Sequence, residues 1–366
     1  MKQRGMIPWC YFSSHSEFKC RKHIVLYGIL CVGLSCSILI FSADPNDPQH
    51  NEYGEYNREL QQFQSVRPLK STRAPNLNGG ALVHIGKTGG STISVLLRNG
   101  CHSFMPHPCR TNITHESVTS KLVQSYYHVP DFGLLRDSNH SFYIITSRDP
   151  FDRTVSAFVY DHIKNRYARN ETVSEIKQSK YEEAYRCFPS LSQYVKYLGD
   201  KPDEFNYPHK RNWVNADSCS DLAKAAFHSR VVIYNHLYFT MFFILKMIPA
   251  LEKQTLYTIR QEYLWDDWKA LNMELGQTEP VHIPDNGMDR LRTVTVLEME
   301  KKMPITRELS QHGRTILCNA LRKEYQAYYY ILIYAKNISP IDLEQSIART
   351  KQNCPNLTLP YSTYTK

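Results

Sequence analysis

Ala81 to Ile85 is a short, mostly apolar run of buried-strand type, and it stops at Gly86-Lys87-Thr88-Gly89-Gly90. Ser91 to Arg98 then reads as a helix that Ser or Thr can cap. A strand, a glycine turn and a helix start in that order give the beginning of an α/β unit. The same order brings several backbone N–H groups and the positive end of a helix dipole to one point, which suits a phosphate. Gly89 and Gly90 let the backbone come close to a ligand, and Lys87 adds a point charge. A nucleotide triphosphatase loop, GxxxxGK[ST], fails on register. It needs a glycine at position 81, which is Ala, and its lysine follows the second glycine and closes the loop, whereas Lys87 precedes the glycine pair. The bland alternative is a turn that only joins a strand to a helix.

A second stretch repeats the pattern. Phe142 to Thr146 is another apolar strand, Arg148 stands at its end, and Pro150 fits the first turn of a following helix. Ser156, eight residues after Arg148, falls about two turns into that helix. Arg148 can pair with a phosphate in bidentate fashion while Ser156 donates a hydroxyl hydrogen bond to the same group. Alternatively, Arg148 caps the strand or pairs with Asp149 or Asp152. Two such units predict an α/β domain with a central, mostly parallel sheet flanked by helices, its ligand at the C-terminal ends of the strands.

The rest of the chain sets limits. At 366 residues, 42% hydrophobic and 22% charged, it is no disordered, collagen-like or small disulfide-scaffold chain. The net charge of +9 places +4 in residues 1–23, leaving a mildly basic body that suits an anionic ligand and not nucleic acid. Ile24 to Phe41 carries no charge over 18 residues, with Lys19, Arg21 and Lys22 before it and Asp44, Asp47, Glu52 and Glu55 after. We expect residues 24–43 to be an uncleaved membrane anchor, the tail 1–23 to be cytosolic and the C-terminus luminal. A cleaved signal peptide is the competitor, and bulky Phe41 at the −3 position opposes it. Residues 44–78, with four prolines and little apolar content, read as a stem, and 79–366 as the luminal domain. A second apolar run, Leu237 to Leu251, contains Lys246 and Pro249 and reads as a buried helix.

Six cysteines fall in the expected luminal part, Cys101, Cys109, Cys187, Cys219, Cys318 and Cys354, enough for three disulfides with the pairing open. No cysteine or histidine spacing matches zinc, so no metal is expected. Glycosylation sequons begin at Asn112, Asn139, Asn170, Asn337 and Asn356, and Asn337 is the poorest because Pro340 follows its serine.

Taken together, Lys-Thr-Gly-Gly-Ser-Thr after the first strand and Arg-Asp-Pro-Phe-Asp-Arg-Thr-Val-Ser-Ala-Phe about 60 residues on resemble the sulfotransferase superfamily. In that family the first motif grips the 5′-phosphosulfate of 3′-phosphoadenosine 5′-phosphosulfate and the second grips its 3′-phosphate. By resemblance Lys87, Thr88, Gly89, Gly90, Ser91 and Thr92 match the 5′ loop, and Arg148 and Ser156 the 3′ site. Leu256-YTIRQEYL looks like the family's late strand ending in Glu and Leu, and the helix of Leu317-CNALRKEYQAYYYIL resembles that of Golgi sulfotransferases. Asp289-RLRTVT is similar to their basic loop, which brings Arg290 and Arg292 toward the donor. The likeness spans residues 80–335 and is nearest to membrane-anchored heparan sulfate 2-O- and 6-O-sulfotransferases. It departs from the 2-O type at Gly86, where that loop has a proline. The resemblance implies a single-pass type II Golgi membrane protein and a glycan or glycosaminoglycan acceptor. Oligomeric state is not legible.

Sulfuryl transfer needs both substrates held in line, a base for the acceptor proton and positive charge beside the leaving phosphate. Lys87 and the amides of 88–92 meet the last need. His128, in Tyr126-Tyr-His-Val-Pro-Asp-Phe, stands where the heparan 2-O enzymes have a catalytic histidine, and Glu116 and Asp131 are the alternatives. His84 reads as a strand residue and His140 as an exposed one. His102, His107 and His115 share a loop without a register. Three rivals stay open: a tyrosylprotein sulfotransferase, a catalytically silent glycan-binding protein of the same fold and, more distantly, a nucleotide kinase.

Overall fold

The computed structural model describes residues 6–12, 18–24, 79–102, 122–128, 140–168, 185–199, 218–228, 236–237, 240–247, 255–277 and 303–358. The chain divides into two units, Met1–Gly54 and Glu55–Lys366. In the first, β1 (Met6–Phe12) and β2 (Phe18–Ile24) pair antiparallel, with Cys10 opposite Cys20. The expected cytosolic tail therefore contains a hairpin, and Ile24, first residue of the expected anchor, closes β2. The rest of the anchor and the stem lie outside the described residues. Among those described, no helix is long and apolar enough to cross a membrane.

In the second unit β3 (Gly80–His84), β4 (Val123–His128), β5 (Phe142–Ser147) and β6 (Thr255–Arg260) form one sheet in the order β4-β3-β5-β6. Every pairing is parallel. Helices α1 (Gly90–Arg98), α2 (Pro150–Asp161), α3 (Ile163–Ala168), α4 (Leu191–Leu198) and α5 (Cys219–His228) follow in the chain, then α6 (Thr240–Met247), α7 (Leu264–Glu274), α8 (Gln311–Ala320), α9 (Arg322–Tyr334) and α10 (Pro340–Asn353). Every residue of β3, β5 and β6 is buried. A parallel sheet covered on both faces needs continuous apolar strands, not alternating ones, and so the sequence reads as short apolar runs. On one face Leu82, Phe142, Ile144, Tyr257 and Ile259 pack with Ile93, Leu96 and Leu97 of α1 and Trp268 and Leu271 of α7.

The expected strands and helices of both motifs form within a residue or so. The run Leu237–Leu251 yields α6, with Met241, Phe242 and Ile244 buried as expected. The helix expected from Leu317 to Leu332 changes at Leu321 into α8 and α9, though Leu321 N–H still donates to Leu317 O and Tyr325 N–H to Leu321 O. Disulfides join Cys187 to Cys219 and Cys318 to Cys354, and Cys101 is also disulfide-bonded.

The sheet order positions the site. From β3 the chain crosses through α1 to β4 on one side, then returns to place β5 on β3's other side. Where the direction of winding reverses, two loops diverge at the C-terminal ends of neighbouring strands and leave a crevice. Those two loops carry residues 86–89 and 148–149.

Candidate active site

The loop after β3 is built by threonines. Ile85 N–H donates to Thr146 Oγ1 at 3.0 Å, and Thr88 Oγ1 donates to Ile85 O at 2.5 Å. With its proton so used, Thr88 accepts from Thr146 across 2.6 Å. Thr88 is fully buried. Its side chain therefore ties the 5′ loop to β5, and what it has left to give a ligand is its amide. Lys87 and Gly89 both adopt left-handed backbone, φ 67° and 78°. Glycine takes this conformation freely, whereas at Lys87 it costs on the order of 1–2 kcal/mol. Alternation of this kind turns successive N–H groups toward one side, the form of an anion-binding nest. Gly89 caps α1 without any side-chain hydrogen bond, so the first amides of the helix are left for a ligand. Ser91 is exposed and Thr92 half-buried in that first turn. Gly90 is required by crowding, because a Cβ there would fall on the His84 ring.

The loop after β5 supplies Arg148. Its Nη1 donates to Lys87 O at 3.3 Å, joining the two motifs directly. Among the described residues that is its one hydrogen bond, and its buried Nε has no partner. Burial lowers the guanidinium below its ordinary range, opposed by the nearby charge of Glu262. A sequestered guanidinium with most of its five donors unused is suited to a bidentate anion. Ser156 is buried on α2.

Asp149 is not the partner of Arg148 that the sequence offered. It caps α2, accepting from Phe151 N–H and Asp152 N–H, and it receives Tyr325 Oη, Thr350 Oγ1 and Asn353 Nδ2 between 2.9 and 3.1 Å. Asp152 pairs instead with Arg349, at 2.8 Å. The carboxylate nearest Arg148 is Glu262, 3.9 Å from Nε, which accepts Asp149 N–H at 3.0 Å. Burial, and then the charge of Asp149, push Glu262 up to about 7.

Among the histidines, His128 ends β4 directly opposite His84 of β3, at the level where the 5′ loop begins. His84 is buried, its Nδ1 2.7 Å from Tyr126 Oη. His102 is buried as well, which lowers it to about 4. His140, expected to be exposed, is half-buried. Gly79 O lies 3.2 Å from its Nδ1 and Tyr127 Oη 2.9 Å from its Nε2, because the start of β5 lies beside the start of β3. His107, His115, Glu116, Asp131, Arg290 and Arg292 lie outside the described residues.

Sequence reasoning missed Arg153 and His236. Arg153, fully buried, donates to His236 O at 2.7 Å and to Glu324 at 3.2 Å. Glu324 accepts the amides of Met241 and Phe242 at the start of α6. The charged Arg153 in an otherwise apolar helix face was the available signal; His236 had none.

A family model described as the sulfotransferase family matches residues 81–330, a stretch running from β3 through most of α9. No curated protein and no solved structure matches the chain. The matched stretch includes both loops of the crevice, with Lys87 and Arg148 in contact across it. The chain belongs to the sulfotransferase family.

Proposed function

We propose that this sulfotransferase moves a sulfuryl group from 3′-phosphoadenosine 5′-phosphosulfate to a carbohydrate hydroxyl. The observation that carries the reading is Arg148, a guanidinium buried with its donors unspent and touching the backbone of Lys87 in the neighbouring loop. Two anion sites on adjacent loops fit a nucleotide with phosphates at both ends of its ribose. Arg148 and Ser156 would hold the 3′-phosphate; Lys87 and the amides from Thr88 to Thr92 would hold the phosphosulfate. In the transfer the acceptor oxygen bonds to sulfur, the bond from sulfur to the phosphate oxygen breaks, and its electron pair stays on the phosphate. Lys87 and the turn amides stabilise that charge, and the acceptor proton passes to a base. We assign the base to His128 on the family likeness, supported by its place at the end of β4. His128→Ala should keep donor binding and lose about 10²–10⁴ in kcat.

We also propose that residues 24–43 anchor the chain in the Golgi membrane with the catalytic domain in the lumen. Incubating the protein with labelled donor and a panel of desulfated glycans tests the acceptor class. Label on a sugar hydroxyl is the expected result. Label on peptide tyrosine alone, or donor binding without turnover, would replace the carbohydrate reading.

A further inference from the structure

His236 and Asp161 form an imidazole–carboxylate pair that the reading above leaves without a task. Asp161 ends α2 and is buried; its Oδ2 accepts the Nδ1–H of His236 at 2.8 Å. Arg153 holds the same residue by its backbone carbonyl. The opposite edge of the ring, Cδ2 and Nε2, lies against Gly86, where a Cβ would collide with it. Tyr160 meets the imidazole edge-on with centroids 5.8 Å apart, and Lys87 Nζ stands 3.5 Å from the Tyr160 centroid. Among the described residues Nε2 has no hydrogen-bond partner, and the side chain is 20% exposed, so a ligand can reach it.

A carboxylate on Nδ1 fixes both the ring and its tautomer, so Nε2 is the nitrogen offered outward. Beside a lysine and a turn of convergent amides, the group it meets is an anion. An imidazole backed by a carboxylate can take a second proton and give Nε2–H to such a group. We propose that His236, oriented by Asp161, is a further contact of the 5′ end of the sulfuryl donor, acting beside Lys87. Gly86 is the accommodation for it, since any side chain at that position would occupy the place of the ring. The inference rests on the donor reading and adds a residue from a loop remote in sequence.

Titration of adenosine 3′,5′-bisphosphate and adenosine 3′-monophosphate into the full-length protein tests it, because only the first carries the 5′ group. His236→Ala should lower affinity for the bisphosphate about 10- to 100-fold and leave the monophosphate within about twofold. His236→Gln, whose amide can donate, should recover part of the loss. Gly86→Ala should reproduce the defect with the histidine still present. Equal losses for both nucleotides would make His236 structural and overturn the proposal, as would unchanged bisphosphate binding in His236→Ala. Wild-type protein that binds neither nucleotide would instead bring down the donor reading beneath it.

Discussion

Arg148 and Lys87 are cations in contact through the backbone, yet their roles divide by what the reaction changes. A 3′-phosphate is the same before and after transfer, so Arg148→Ala should act on donor affinity. Charge grows on the 5′-phosphate only as the bond to sulfur breaks, so Lys87→Ala should act on kcat. Each loss should cost roughly 2–4 kcal/mol, read from steady-state kinetics at varied donor. Wild-type turnover by Lys87→Ala at saturating donor would refute its role. Glu262 makes a prediction about pH. Its carboxyl titrates near 7 in the fold against an ordinary 4.5, mainly through burial. Between those values the folded protein holds a proton that the unfolded chain has released. Stability therefore rises as pH falls through this window and is lost as pH rises through 7. Glu262→Gln keeps an oxygen for Asp149 N–H and removes the penalty. It should exceed wild type well above pH 7 by on the order of 3 kcal/mol, and the gain should vanish near about pH 5, as measured by denaturant midpoints across pH.

Helix α10 braces the site from a distance in sequence. Ser339 and Asp342 form a capping box at its start, and Thr350 and Asn353 at its end hold Asp149, the neighbour of Arg148. The Cys318–Cys354 disulfide fastens that end to α8. It closes a sequence separation of 36, and the Cys187–Cys219 disulfide one of 32, so chain entropy alone gives each about 4 kcal/mol. Their consequences for activity should differ. Replacing Cys318 and Cys354 by alanine should raise KM for donor along with the loss of stability, because Asp149 sets the loop of Arg148. Replacing Cys187 and Cys219 should cost similar stability with donor KM unchanged. Equal KM effects in the two variants would show that α10 has no special hold on the site.

For the whole molecule, the charge asymmetry about residues 24–41 predicts a cytosolic N-terminus and a luminal domain. Protease added to sealed vesicles should remove an N-terminal tag and spare the rest; digestion of the large domain would reverse the assignment. In the lumen, Asn356 is exposed and open to glycosylation, whereas Asn337 is buried, giving Nδ2–H to Thr258 O at 2.8 Å and accepting Thr258 N–H at 3.0 Å. Glycopeptide mass spectrometry should find glycan on Asn356 and none on Asn337.

Local sequence determined the strands, the glycine turn, the start of α2 at Pro150 and the positions of Lys87 and Arg148. Each of these follows from short-range rules: apolar runs for covered parallel strands, glycine and proline at special backbone angles, cations at strand ends. Tertiary structure decided which groups meet. Thr88 was read as a ligand contact, yet its hydroxyl is spent on Ile85 O and Thr146, a pairing that exists only because β3 and β5 are neighbours. Asp149 turns from Arg148 to Tyr325, Thr350 and Asn353, and Glu262 takes its place, since packing of α9 and α10 brings donors from some 200 residues away. His236 reaches Gly86 and Asp161 across comparable gaps in the chain. No local rule reports such encounters, because their energies depend on burial and on partners that only the closed fold supplies.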